Sequence, residues 1–260
     1  MRGLAVALGS VLALASPARG RAQACVTPAV GRVPFGLGER LSYDIDSLGA
    51  SIGTLRLAVL PGQRGAAYAI EARGRTNTFA ANFYQVDAIA RSHLGPALQD
   101  RSYSQDATER GVRESLDIAF PAAQGRLHVR AAKEGNRHDF DLHAPDQTRD
   151  LLAALYTLRA MKLTDGEELC LPVYGAKHVW FVRARVAGRE MAHTPAGDFR
   201  SIHLTGSAVF VDNPKVCRPL QFWLTDDARR LPVAACGTVQ NKPVCANLES
   251  FVVGKRWRSR

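Results

Sequence analysis

Asp150-Leu-Leu-Ala-Ala-Leu-Tyr156-Thr-Leu-Arg159 is the one strong helix signal in a chain that otherwise reads as short strands. Leu151, Leu152, Leu155 and Leu158 recur at helical spacing and predict an apolar stripe. Asp146 or Thr148 is placed to cap the start, and Gly166 lies beyond the end. The helix is expected near residues 148–161. It divides a chain whose other periodicities are all close to two.

Upstream, residues 39–46 alternate Leu41, Tyr43 and Ile45 with polar neighbours, and residues 53–59 do the same after Gly49, which predicts a hairpin. Further alternating runs fall at 68–72, 84–90, 116–120, 127–131 and 140–142. Downstream of the helix they resume at 169–174, 178–186, 199–204, 220–224, 231–235 and 248–253. Turn formers at intervals of about ten residues separate them, as in a meandering antiparallel sheet. The stretch 80–84 suits either a short helical turn or a loop. So many strands must hide their edges. The expected fold is therefore all-β, one large, strongly curved antiparallel sheet (barrel, half-barrel or spiral), with the helix plugging one end or covering the open side.

Residues 1–24 have the parts of a cleavable secretory signal. Arg2 is the positive start, residues 4–15 are an apolar run too short to span a bilayer, and small residues follow, with cleavage sites after Ala18, Gly20 or Ala24. Cys25 follows directly, but the Arg21-Ala-Gln-Ala24 approach lies far from the apolar core, which favours free export over a lipid anchor. A single β domain over 34–253 and a basic tail at 254–260 complete the expected organisation.

The formal net charge is +10, and the chain stays basic without Arg2, Arg19 and Arg21. Outside the cytoplasm that charge meets anionic lipid and envelope polymers rather than nucleic acid, and no basic motif interleaved with aromatics is present. The tail Lys255-Arg-Trp-Arg-Ser-Arg260 can touch an anionic membrane surface through Trp257, or simply be solvated. Five cysteines in an exported chain predict disulfides with one thiol left over. If Asp226 and Asp227 close a hairpin, Cys217 and Cys236 fall opposite each other, whereas a turn near Gln240 would pair Cys236 with Cys245. The first pairing is preferred.

Four segments occur in order: Phe35-Gly-Leu-Gly-Glu39-Arg-Leu41-Ser-Tyr43, the helix, Glu190-Met-Ala-His-Thr194-Pro195-Ala-Gly197-Asp-Phe199, and Trp223-Leu-Thr-Asp226-Asp227-Ala-Arg229-Arg230-Leu-Pro232-Val. The set resembles the exported bacterial proteins of domain-of-unknown-function family 3108 over about residues 34–251. The resemblance implies a periplasmic or envelope-associated protein without assigned chemistry, similar in general look to curved β-sheet carriers of lipoproteins and lipids. The cysteines and the basic tail are particular to this chain, so expectations built on them stand without the family.

No nucleophile elbow, HExxH, phosphate-cradling loop or dinucleotide fingerprint is visible, and no catalytic residue or cofactor is assigned. His138 and His143 fall on opposite faces of a strand, so no metal site is expected. Asp226 and Asp227 read as turn formers held by Arg229 and Arg230 rather than as an acid/base pair. Tyr156 and Arg159 share a helix face. Arg159 either snorkels past the apolar stripe, pairs with a strand carboxylate such as Glu39 or Asp44, or offers its planar fork to an anionic ligand at the cavity mouth. Tyr156, Arg159, Trp223 and Arg230 are the candidate ligand contacts. The leading expectation is a non-enzymatic protein binding an apolar or acylated envelope component. A scaffold for an envelope polymer or protein is the alternative, and an envelope hydrolase or transferase the third.

Overall fold

The computed structural model describes residues 29–63, 65–120, 125–239 and 242–255. The expected leader, Cys25, the tail from residue 256 and the turn expected near Gln240 lie outside the described residues.

Two meanders share one sheet, whose strands pair antiparallel except at one edge, where a two-residue strand runs parallel to its neighbour. The first runs through β1 (Arg40–Ser47), β2 (Ala50–Pro61), β3 (Tyr68–Thr76), β4 (Val86–Leu94), β5 (Asp100–Glu109), β6 (Val112–Ala119), β7 (Arg126–Lys133) and β8 (Asn136–His143). A four-residue helix, α1 (Thr78–Ala81), sits between β3 and β4 and resolves the 80–84 stretch as a helical turn. The second meander runs through β9 (Arg149–Asp150), α2 (Leu151–Ala160), β10 (Glu168–Gly175), β11 (His178–Thr194), β12 (Gly197–Phe210), β13 (Cys217–Thr225), β14 (Pro232–Val239) and β15 (Lys242–Val252). β15 pairs with β1, joining the meanders into a 15-stranded sheet with β8 at one edge and β9 at the other.

No backbone ladder joins those edges among the described residues, so the sheet is open, but it curls until its halves touch. α2 packs on β3 and β4 of the first meander and on β9 and β10 of its own. Arg149 on β9 donates to Asp100 on β5 at 2.9 Å, and Lys177 in the β10–β11 turn reaches Glu114 on β6. The exposed edge β8 carries Arg137, His138, Asp139 and Asp141, charges that discourage a further strand from pairing there.

The inner face is apolar because alternation puts every second side chain there. Leu41, Leu57, Val59, Ile70, Leu94, Ile118 and Val129 form the core with Tyr156 and Ala153 of α2. A second cluster packs Leu158 and Met161 on Leu171, Val173, Ile202, Leu204 and Leu224.

Two expectations about the helix change. Asp150 is its N-cap, with Oδ1 accepting from the backbone N–H groups of Leu152 and Ala153, both at 2.9 Å. Thr148 instead donates its hydroxyl to Pro145 O. Nor is there a one-sided stripe. Leu151 is exposed while Thr157, Arg159 and Ala160 are buried, because α2 is wrapped by the sheet on nearly every side.

Candidate functional site

Arg159 ends α2 with its side chain 1 % exposed. Its Nη1 and Nη2 donate to Glu39 Oε1 and Oε2 at 2.6 and 2.8 Å, a two-pronged pair with the residue just before β1. Its remaining donors reach the carbonyls of Arg230 (3.0 Å) and Arg229 (3.3 Å) in the β13–β14 turn. The guanidinium lies 4.7 Å from the Tyr156 ring and 5.2 Å from that of Phe35. Burial disfavours its charge, but the hydrogen bonds and charge of Glu39 outweigh burial and raise its pKa. Arg159 is thus a charged tie between the helix, the first strand and a turn. The carboxylate is Glu39, not Asp44, which accepts from Ser51 instead.

Directly beside this tie lies a partly open cavity of about 460 Å³, bounded by residues 31–34, the end of α2 with Lys162, and residues 226–230. Gly31 N donates to Ala160 O at 2.8 Å, which holds the N-terminal wall against the helix. Val33, Pro34, Ala160 and Met161 supply apolar surface, and Arg32, Lys162 and Arg230 supply cations. Arg230 Nη1 is buried without a hydrogen-bond partner, 3.7 Å from Asp226 Oδ1. That carboxylate is shared, since Asp226 Oδ2 also lies 3.5 Å from Arg189 Nε and 3.7 Å from Arg200 Nε. Burial, followed by the neighbouring Arg189 charge, lowers the pKa of Arg230, although Asp226 and Asp227 act the other way. An under-compensated guanidinium of this kind gains from an incoming anion.

Asp227 bonds within the β13–β14 turn. Its Oδ1 accepts from Thr225 Oγ1 and Arg229 N at 2.9 and 2.8 Å, and its Oδ2 accepts from Arg229 Nη2 at 2.6 Å. Burial raises its carboxyl pKa, but these bonds prevail and hold it below the usual value. Arg230 itself adopts φ 48°, in the left-handed region, and this turns the chain so that two successive carbonyls face Arg159.

The other end of α2 holds a second buried charge cluster. Asp150 Oδ2 accepts from Ser92 Oγ at 2.6 Å, and Asp100 Oδ1 accepts from Asp150 N at 3.0 Å. Burial, then repulsion from Asp150, pushes the Asp100 carboxyl well above its ordinary value; burial also raises Asp150. The two carboxyls are thus crowded together beside Arg149, and burial disfavours the charge of both. Asp150 is fully buried and neither carboxyl lines the cavity, so the pair serves structure.

Of the four anticipated ligand contacts, Arg159 and Arg230 line the cavity, together with Asp226 and Asp227. Tyr156 is buried beneath it, its hydroxyl 3.4 Å from Glu39 Oε1. Trp223 is elsewhere, stacked at 4.5 Å on His203 with its Nε1 donating to Glu190. Arg32 and Lys162 were not anticipated; nothing local marks them, because the cavity assembles from segments far apart in sequence. Among the described residues no three His, Cys, Asp or Glu side chains are placed to share a metal ion.

The expected Cys217–Cys236 disulfide is corrected. The β13–β14 turn is wider than a tight hairpin and the ladder shifts between Trp223 and Leu224, so Gln221, not Cys217, faces Cys236. Cys236 lies opposite Cys245 and is bonded to it, leaving Cys217 free and exposed. Cys170 is also disulfide-bonded. Disulfides of this kind belong to an oxidising, extracytoplasmic setting.

None of the curated proteins is detectably similar in sequence. Among solved structures, the beta-barrel-like protein of domain of unknown function DUF1849 from Brucella abortus shares the fold. It has 12% identity and a TM-score of 0.59 over 87% of this chain and 100% of that chain. A candidate lipoprotein from Parabacteroides distasonis is 12% identical over 85% of this chain and 99% of that chain, with a TM-score of 0.37. A family model described as "Protein of unknown function (DUF3108)" matches residues 42–238, from β1 through β14, and the chain therefore belongs to the DUF3108 family.

Proposed function

We propose that this is a non-enzymatic protein of the periplasm or cell envelope that holds an acylated envelope component, gripping its anionic group in the cavity beside α2. The observation that carries this reading is the buried Arg230 Nη1, which has no hydrogen-bond partner, in a cavity with apolar walls and two further cations, Arg32 and Lys162. A volume of about 460 Å³ lies within the range of small-molecule sites. The mixture of Val33, Pro34 and Met161 with cations suits an amphiphile better than a wholly polar ion. The disulfide supports an oxidising compartment. The carboxylates that do line the cavity, Asp226 and Asp227, are engaged with arginines and with the β13–β14 turn, which supports binding over acid/base chemistry.

Native mass spectrometry with organic extraction, on protein purified without detergent, tests the reading. A reproducible acylated species with an anionic group is expected, and Arg230→Ala combined with Lys162→Ala should lose it. A clean apo mass from every preparation overturns it and moves attention to a polymer or protein partner.

A further inference from the structure

The strand ends opposite the cavity carry the largest exposed apolar side chains of the described residues. Leu48 in the β1–β2 turn is 80 % exposed, Phe79 on α1 67 % and Phe83 just after it 73 %. These neighbours are brought together by a specific set of bonds. Asn77 caps α1 by accepting from Ala80 N, donates its side-chain amide to Ser51 O at 2.8 Å, and donates its backbone N–H to Ile52 O at 3.0 Å. The short helix is thereby pinned beside the β1–β2 turn, although none of its own residues is buried. Phe79 and Phe83 meet edge to face at 5.5 Å.

Cations flank the patch. Arg110, in the β5–β6 turn, places its guanidinium 4.4 Å from the Tyr84 ring. Lys242 opens β15 next to Pro243, whose carbonyl accepts the hydroxyl of Ser47 at 2.8 Å. Asp87 and Glu109 stand nearby on β4 and β5. Exposed apolar side chains that cluster within a polar rim mark an interaction or membrane-contact site, whereas a lone one does not.

We propose that this end is a membrane-contacting surface, which seats Leu48, Phe79 and Phe83 at the boundary between headgroups and acyl chains and sets Arg110 and Lys242 against anionic headgroups. Separate protruding turns with polar Ser47, Asn77 and Asn82 between them suit a fluid bilayer, which closes around each side chain; a stable protein partner needs about 800 Å² of continuous complementary surface. Aromatic rings flanked by Arg or Lys are the usual occupants of that boundary. The surface is distinct from the basic tail. Lys255 bridges to Leu37 beyond the other end of β15, whose 11 residues span roughly 35 Å.

Co-sedimentation of the full chain with phosphatidylcholine vesicles, with and without phosphatidylglycerol, tests the proposal. Binding is expected with phosphatidylglycerol. Phe79→Ser with Phe83→Ser should weaken it about tenfold or more, and Arg110→Glu with Lys242→Glu should reduce it to the phosphatidylcholine level. Near-ultraviolet circular dichroism and Tm should be unchanged, because the side chains pack on little else. Unaltered binding in the phenylalanine variant overturns the proposal and leaves the tail as the contact. So does a dimer in vesicle-free buffer that the same substitutions dissolve, when no vesicle binding accompanies it.

Discussion

The two ends of α2 solve the same problem in different ways. A ten-residue helix is too short to be stable alone in water, so its position is set by what its ends hold. At the C-terminal end one cation meets one carboxylate, Arg159 and Glu39, in a two-pronged pair whose spare donors are taken by two turn carbonyls. At the N-terminal end two carboxyls, Asp150 and Asp100, meet one cation, Arg149, and burial followed by repulsion from Asp150 pushes the Asp100 carboxyl well above its ordinary value. Asp150 at the N-terminus and Arg159 in the last turn also lie where the helix dipole favours an acid and a cation. Together the ends tie α2 to β4 and β5 on one side, and to Glu39 and the β13–β14 turn on the other. An open sheet is thus kept curled without a closing ladder.

Breaking the balanced end should cost most. Arg159→Met leaves Glu39 charged and buried, and about 3–5 kcal/mol of stability should disappear in urea unfolding. Adding Glu39→Gln to that variant should recover a good part. Failure to recover would mean that Arg159 acts through packing on Phe35 and Tyr156 rather than through charge.

Next in size is Asp150→Ala, which deprives the Leu152 and Ala153 N–H groups and the Ser92 hydroxyl of their acceptor. About 2 kcal/mol is expected by the same measurement. Asp150→Asn keeps an acceptor and should lose less.

Asp100→Asn sharpens the contrast through pH. An unfolded Asp titrates near 3.9, whereas the folded Asp100 carboxyl titrates well above that. Between the two values the folded state binds more protons, so this group's contribution is full below about pH 4 and is lost as pH rises through the folded value. Tm followed against pH should therefore fall less steeply above about pH 4 in the Asn variant, which imitates the protonated acid. An identical slope in both proteins would show that the folded Asp100 carboxyl does not titrate above its unfolded value.

The smallest stability effect belongs to Arg230→Ala. Its ion pair with Asp226 is long and its side chain 24% exposed, so a change within about 1 kcal/mol is expected. The co-purifying anion should nonetheless weaken or vanish. Large destabilisation with ligand retained would assign Arg230 to the tie rather than to the cavity.

The segments that were misread show where sequence patterns lose their information. β5, Asp-Arg-Ser-Tyr-Ser-Gln-Asp-Ala-Thr-Glu, escaped notice because Tyr103 and Ala107 are its only apolar residues, and neighbouring strands rather than alternation make it extended. The Asp150 cap was passed over for Asp146 and Thr148, since all three can cap. Ser92, Asp100 and Lys162 carried no local mark at all. By contrast, Arg159 with a carboxylate near the first strand was legible as a pairing, because a cation set among leucines must find an acid or reach water.

Period-two alternation, turn residues and one leucine-rich stretch were enough by themselves to determine an all-β chain interrupted by a single substantial helix. Those signals arise between residues a few positions apart, where backbone geometry decides which side chains share a face. Only the tertiary structure decided which cysteine faces Cys236, which acid meets Arg159 across 120 positions, and that residues 31–34, the end of α2 and the β13–β14 turn enclose a cavity. Strand register and sheet curvature set those encounters, and both depend on packing summed over the whole sheet, which no local stretch encodes.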